Sequence, residues 1–185
     1  AAAELLCGVG SPSGKLSDTF AKKLEDYPSS ETFHESVKYV DYKEDIYVGY
    51  RYFETFAPEK VLYPFGFGLS YTKFEVRLLS ADETADGITA FAAVQNTGSC
   101  PGKEVVQLYV ADCTGTTGRP PKELRKFVKV KLEPGEEKQV EFTLTAQDLS
   151  YYDETLGSWY AAPGEYKILL GHSSRDIHAT LSVRF

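Results

Sequence analysis

Glu44-Asp45 supplies two neighbouring carboxyl groups, and acid–base hydrolysis of an acetal uses such a pair when the groups converge to about 5 to 5.5 Å. Neighbours in an extended chain point to opposite faces, so only a sharp kink brings these two together. With 27 Asp and Glu in 185 residues, adjacent acids arise by chance, and a surface role is the expectation. Glu25-Asp26 runs into Tyr27-Pro28 and reads as a turn. His172, Ser173, Ser174 and Asp176 spell the letters of a hydrolytic triad. They are compressed between two strands, and a triad also needs an oriented base and an oxyanion site, so a hairpin loop is expected there. His34 and His178 stand isolated, without a second His or Cys at ligand spacing, and no metal site is expected. Pro12-Ser13-Gly14-Lys15 lacks the first glycine of a phosphate loop and continues into Leu16, not Ser or Thr. Cys7, Cys100 and Cys113 form no CxxC pair. Cys100 and Cys113 flank one strand, which holds them roughly 40 Å apart and predicts free thiols.

The elements around these residues read mostly as strands. Short alternating runs separated by turns begin near Tyr71: Thr72–Leu79, Ile88–Gln95, Gly102–Val110, Phe127–Leu132, a run through Val140, Phe142 and Leu144, Tyr166–Leu170 and Ile177–Phe185. Asp86-Gly87 is the expected turn between the first two. In the third, Val106, Leu108 and Val110 share one face, which is read as the core face, with Val105, Gln107 and Tyr109 opposite. Seven strands in about 115 residues fit an all-β sandwich that folds by itself.

Residues 1–60 differ. Ala1–Leu6 reads as the last turns of a helix, Leu16–Phe20 as a short strand, and the rest as irregular chain. So few periodic apolar residues do not offset ordering entropy of about 1 to 2 kcal/mol per residue, so this part is expected to lean on another surface. The absence of Met and the opening on Ala1 are read as signs of a longer protein. Twelve aromatics fall between Tyr39 and Phe74, a density suited to domain-interface packing first and to a sugar-stacking platform second. The formal charge of −7 repels a phosphate backbone, and the longest apolar run, Ala90–Val94, is far short of the ~20 residues of a membrane-spanning helix. Neither nucleic acid nor membrane is an expected partner. Free thiols favour a reducing, cytoplasmic compartment, with secretion the alternative because a targeting segment would precede the chain.

Several stretches are more specific. Gly10-Ser11-Pro12-Ser13-Gly14-Lys15-Leu16, Tyr47-Val48-Gly49-Tyr50-Arg51-Tyr52-Phe53 and Tyr63-Pro64-Phe65-Gly66-Phe67-Gly68-Leu69-Ser70-Tyr71-Thr72 resemble the closing part of family 3 glycoside hydrolases, the β-glucosidase and β-xylosidase family. Asn96-Thr97-Gly98, Gly102–Val110, Arg119-Pro120-Pro121-Lys122-Glu123-Leu124, Leu132–Glu136 and Pro163–Tyr166 are similar to that family's fibronectin type III-like domain. The resemblance implies a mainly β chain: an immunoglobulin-like β-sandwich over 71–185, a linker over 61–70, and before it, over 1–60, the remnant of an α/β sandwich domain. It also implies that the nucleophilic Asp and the acid/base Glu lie outside the chain, so no catalytic residue is carried over, and no cofactor is implied. The implied partners are the barrel and remaining α/β sandwich domains of the same enzyme and, through them, a β-linked sugar; association into a homo-oligomer stays open. Glu44, Tyr50 and Arg51 are the candidate sugar-proximal residues. The rival reading is a stand-alone carbohydrate-binding or adhesion module, and a third is a small self-contained hydrolase dependent on Glu44.

Overall fold

The computed structural model describes residues 2–84 and 87–185. In chain order the elements are helix α1 (Ala2–Leu6), strand β1 (Phe20–Ala21), helix α2 (Tyr50–Phe56), β2 (Val61–Tyr63), β3 (Phe74–Thr84), β4 (Gly87–Asn96), β5 (Gly102–Asp112), β6 (Glu123–Leu132), β7 (Glu137–Thr145), the single turn α3 (Ala146–Leu149), β8 (Tyr151–Asp153), β9 (Ser158–Tyr160), β10 (Glu165–Gly171) and β11 (Ile177–Arg184). Asp86 of the expected first turn lies outside the described residues.

Two antiparallel sheets face each other, one ordered β3-β4-β7 and the other β11-β10-β5-β6. Alternation along each strand dictates which side chains meet. From β4, Ile88, Ala90, Ala92 and Val94 point inward; from β10, Tyr166, Ile168 and Leu170 do so, and all seven are buried. The pairing matches small to large: Ala90 sits opposite Phe142 and Ala92 opposite Val140, so the bulky partner fills the space that alanine leaves. Each fully buried Val, Leu, Ile or Phe contributes about 1.5 to 3 kcal/mol. Asn96 closes the β4 end: it accepts from the Thr72 hydroxyl at 2.6 Å and donates to the carbonyls of Cys100 and Leu132 at 2.9 and 3.1 Å, which explains a fully buried Asn in the Asn96-Thr97-Gly98 stretch.

Strand β5 departs from the expectation of one core face. Val106, Leu108 and Val110 enter the core as expected, but Gln107 and Tyr109 on the other face are buried as well. They are covered by the N-terminal part of the chain. Tyr50 stands edge-on to Tyr109 at 6.0 Å and stacks against Phe65 at 4.9 Å. Gly66 and Gly68 permit this closeness. Gly66 has φ +81°, and a Cβ there would fall 2.5 Å from the Gln107 side chain; a Cβ at Gly68 would run into the Gly14 carbonyl oxygen. The Leu16 carbonyl accepts from Gly66 N–H, and the Leu16 N–H donates to the Phe67 carbonyl, both at 2.8 Å. On the sandwich side, Ser174 N–H donates to the Phe65 carbonyl at 2.9 Å.

The expected strand Leu16–Phe20 shrinks to Phe20–Ala21, because Ser17-Asp18 bends and Asp18 Oδ1 accepts from the Thr19 N–H. Helix α2 is not legible from propensity, since Tyr50, Tyr52, Phe53 and Phe56 favour strands. Packing decides instead: Tyr50 and Phe53, three residues apart, lie on one helical face and are both buried.

Candidate functional site

The junction between α2 and the sandwich concentrates the charged and aromatic groups. The Arg119–Leu124 stretch enters β6, and its side chains engage both halves of the chain. Lys122 Nζ lies 3.2 Å from a Glu54 carboxylate oxygen on α2, and the other Glu54 oxygen accepts from Arg175 Nε at 2.8 Å. The Leu124 N–H donates to the Tyr50 hydroxyl at 2.7 Å. Arg119 donates to Asp112 Oδ2 at 3.0 Å and to Glu123, and its guanidinium covers the Tyr151 ring at 5.2 Å. Glu123 also accepts from Arg125 at 2.8 Å and faces Arg51 at 3.3 Å. A cleft of about 650 Å³ opens beside this network, lined among others by Asp45, Arg51, Arg119, Glu123, Tyr152 and Trp159.

Of the three sugar-proximal candidates, only Arg51 reaches the cleft. Tyr50 is buried, with its ring against Phe65 and Tyr109. Glu44 lies outside the lining, whereas its neighbour Asp45 belongs to it. The chain does kink there: Asp45 has φ +51°, and Tyr47 N–H donates to the Glu44 carbonyl at 2.9 Å, so the segment is a turn and not the extended run taken for it. The Tyr152–Trp159 pair was not anticipated. Both project from the β8–β9 hairpin, 53% and 69% exposed, with ring centroids 5.9 Å apart. The signal for them was the aromatic run Tyr151-Tyr152 mirrored by Trp159-Tyr160 across a turn ending in Gly157.

The chemistry open to this cleft follows from its acids. A glycosidase general acid needs a carboxyl held in its protonated form by burial or a like charge. Glu123 is wrapped by three arginines, and Asp112, behind the cleft, accepts from Arg119 and from the Thr114 hydroxyl, so both are engaged in structural contacts. Among the described residues, every carboxyl clearly displaced from its ordinary pKa, at Glu104, Glu136 and Asp148, is displaced downward. At Glu104 burial pushes the pKa up, but hydrogen bonds from His172 and Lys15, reinforced by their charges, outweigh it. Two buried phenols move the other way: burial raises Tyr109 strongly, with Tyr50 and Glu54 adding to it, and burial, then Asp112, pushes Tyr166 up to about 12.

Glu104 gives a pH signature. Its folded pKa is depressed, so its contribution to stability is complete above the unfolded value of 4.5 and is lost as pH falls through the folded one. Melting temperature measured from about pH 6 down to pH 3 should therefore fall less steeply in Glu104→Gln than in the parent chain. Parallel curves for the two proteins would show that Glu104 carries none of the acid sensitivity.

A Greek-key-like pair of sheets of four and three strands defines the chain's larger part as an immunoglobulin-like module. Residues 104–174 match the fibronectin type III-like domain family. Along its whole length the chain is similar to family 3 β-glucosidases, as the motif series implied. Beta-glucosidase A of Butyrivibrio fibrisolvens is 50% identical over 95% of this chain, which covers 24% of that protein. Thermostable beta-glucosidase B of Acetivibrio thermocellus is 47% identical over 100% of the chain and 25% of its own length. The crystal structure of a β-glucosidase from Kluyveromyces marxianus superposes with a TM-score of 0.93 at 43% identity, over 98% of this chain and 22% of that one. The family 3 β-glucosidase of Bifidobacterium adolescentis gives 0.92 at 39% identity, over 99% and 27%. The chain thus spans about a quarter of the length of the relatives it matches.

Proposed function

We propose that this chain is a non-catalytic portion of a β-glucosidase-type enzyme, which buttresses and borders domains that cleave terminal β-glycosides by a retaining two-carboxylate mechanism. The observation that carries the reading is the similarity along the whole chain to about a quarter of family 3 β-glucosidases, together with the use of Glu123 and Asp112 as structural ion-pair partners of Arg51, Arg119 and Arg125. The proposed division is 1–60 as the end of an α/β sandwich domain, 61–70 as its link, and 71–185 as the sandwich module. The remaining domains of the same enzyme are the partners that suit the apolar groove of Leu16, Phe20, Tyr63, Phe67 and Leu69, in which Phe20, Tyr63 and Leu69 are exposed.

Incubated with an aryl β-glucoside, the 185-residue chain should show no turnover above buffer; turnover that disappears in Glu44→Gln would instead establish the self-contained hydrolase. A second reading draws on the exposed Tyr152–Trp159 pair, which presents aromatic faces to the cleft. As a stand-alone carbohydrate-binding module, the chain would take up glucosides or oligosaccharides with measurable heat, and Trp159→Ala would abolish the heat. Calorimetric silence rejects that module.

A further inference from the structure

We infer that the β10–β11 hairpin is a binding site for a divalent transition-metal ion, with His172, Asp176 and His178 as its ligands. One ring nitrogen of each histidine and one oxygen of Asp176 lie within 4.8 Å of one another. This corrects the expectation drawn from sequence: His178 is not isolated, because antiparallel pairing returns β11 beside the end of β10, and the two imidazoles meet edge-on at 4.6 Å. His178 Nε2 is already 3.0 Å from Asp176 Oδ1.

Donors about 2.0 to 2.1 Å from a tetrahedral zinc stand roughly 3.3 Å apart, so closure needs only side-chain rotation of the exposed His178 and Asp176. The loop beneath them is fixed. His172 N–H donates to the Asp176 carbonyl at 2.9 Å, the His172 carbonyl accepts from Gln107 Nε2 at 2.7 Å, and Ser173 Oγ accepts from the Asp176 N–H at 2.9 Å.

A buried carboxylate stands behind the first imidazole. His172 Nδ1 is sealed from water and lies 3.3 Å from the Glu104 carboxylate, itself buried and paired with Lys15 at 2.7 Å. A carboxylate behind an imidazole holds the proton on the near nitrogen and leaves the far one as a donor, the arrangement that orients metal-bound histidines. Neighbouring cations do not oppose the ion, since Lys15 is neutralised by Glu104 and Arg175 is spent on Glu54 and the Pro58 carbonyl. Two imidazoles and one carboxylate select zinc, copper or nickel over magnesium, and three protein ligands leave a coordination position open.

The test uses the 185-residue chain with Cys7, Cys100 and Cys113 replaced by Ser, because free thiols also take zinc. Calorimetry with Zn²⁺ should give one ion per chain, Mg²⁺ no heat, and Co²⁺ a visible d–d spectrum that Zn²⁺ erases. His178→Ala, at an exposed position, should remove both signals while leaving the metal-free melting temperature unchanged. Glu104→Gln should weaken zinc binding about 10- to 100-fold if it folds. Zinc binding that survives His178→Ala and Asp176→Asn, or that is lost with the cysteines, overturns the assignment.

Discussion

Phe53→Ala should lower the unfolding free energy of the whole chain by about 3 to 5 kcal/mol, the range for removing a buried phenylalanine. Phe53 is 1% exposed, and its ring meets Tyr27 edge-on at 5.6 Å and Tyr52 at 5.3 Å. Helix α2 has only seven residues, too few to hold itself in water, so its existence depends on that buried face. The same helix carries Tyr50 and Glu54, which reach Leu124, Lys122 and Arg175 on the sandwich. Loosening Phe53 therefore releases contacts that seal Tyr109 and Gln107. Urea unfolding followed by far-ultraviolet circular dichroism and by the fluorescence of Trp159 should show one transition, shifted to lower denaturant in the variant. A sandwich that unfolds at the parent midpoint after α2 has melted would show that the N-terminal part is a loose appendage.

Arg119→Met should cost about 3 kcal/mol, at the low end for breaking a buried ion pair. The guanidinium joins Asp112 and Glu123, and all three side chains are at most 12% exposed. The cost stays at the low end because Glu123 keeps Arg125 and Asp112 keeps its bonds from the Thr114 N–H and hydroxyl. Arg119→Lys retains the charge but not the two-pronged fork, and should recover part of the loss. Adding Asp112→Asn to Arg119→Met should restore stability further, because the uncompensated buried carboxylate is then gone. Strictly additive losses in that double variant would mean that Arg119 acts through Tyr151 and the Leu149 carbonyl rather than through charge.

The strands that alternate cleanly were readable from the letters. Val140, Phe142 and Leu144, separated by Glu141 and Thr143, announce an inward face because period two has one structural meaning. Helix α2 was hidden, since its aromatic residues carry strand propensity and only the surface of β5 makes a helix the better solution. The second buried face of β5 was hidden for the same reason: Gln107 and Tyr109 look like an outer face until another part of the chain covers them. In the Arg119–Leu124 stretch the residues stood out as a family motif, but their use in joining Glu54, Tyr50 and Asp112 depends on groups as far as 74 positions away. The nearness of His178 to His172 and Asp176 was hidden by a different route, because spacing along the chain does not register two strands that pair side by side.

The doubly pinned stretch from Phe65 to Gly68 leaves no joint. Backbone bonds tie it to Leu16 on one side and to Ser174 on the other, and Gly68 has no clearance from Gly14. The short span between the N-terminal residues and the sandwich is thus clamped from both sides, which makes it a splint rather than a free tether.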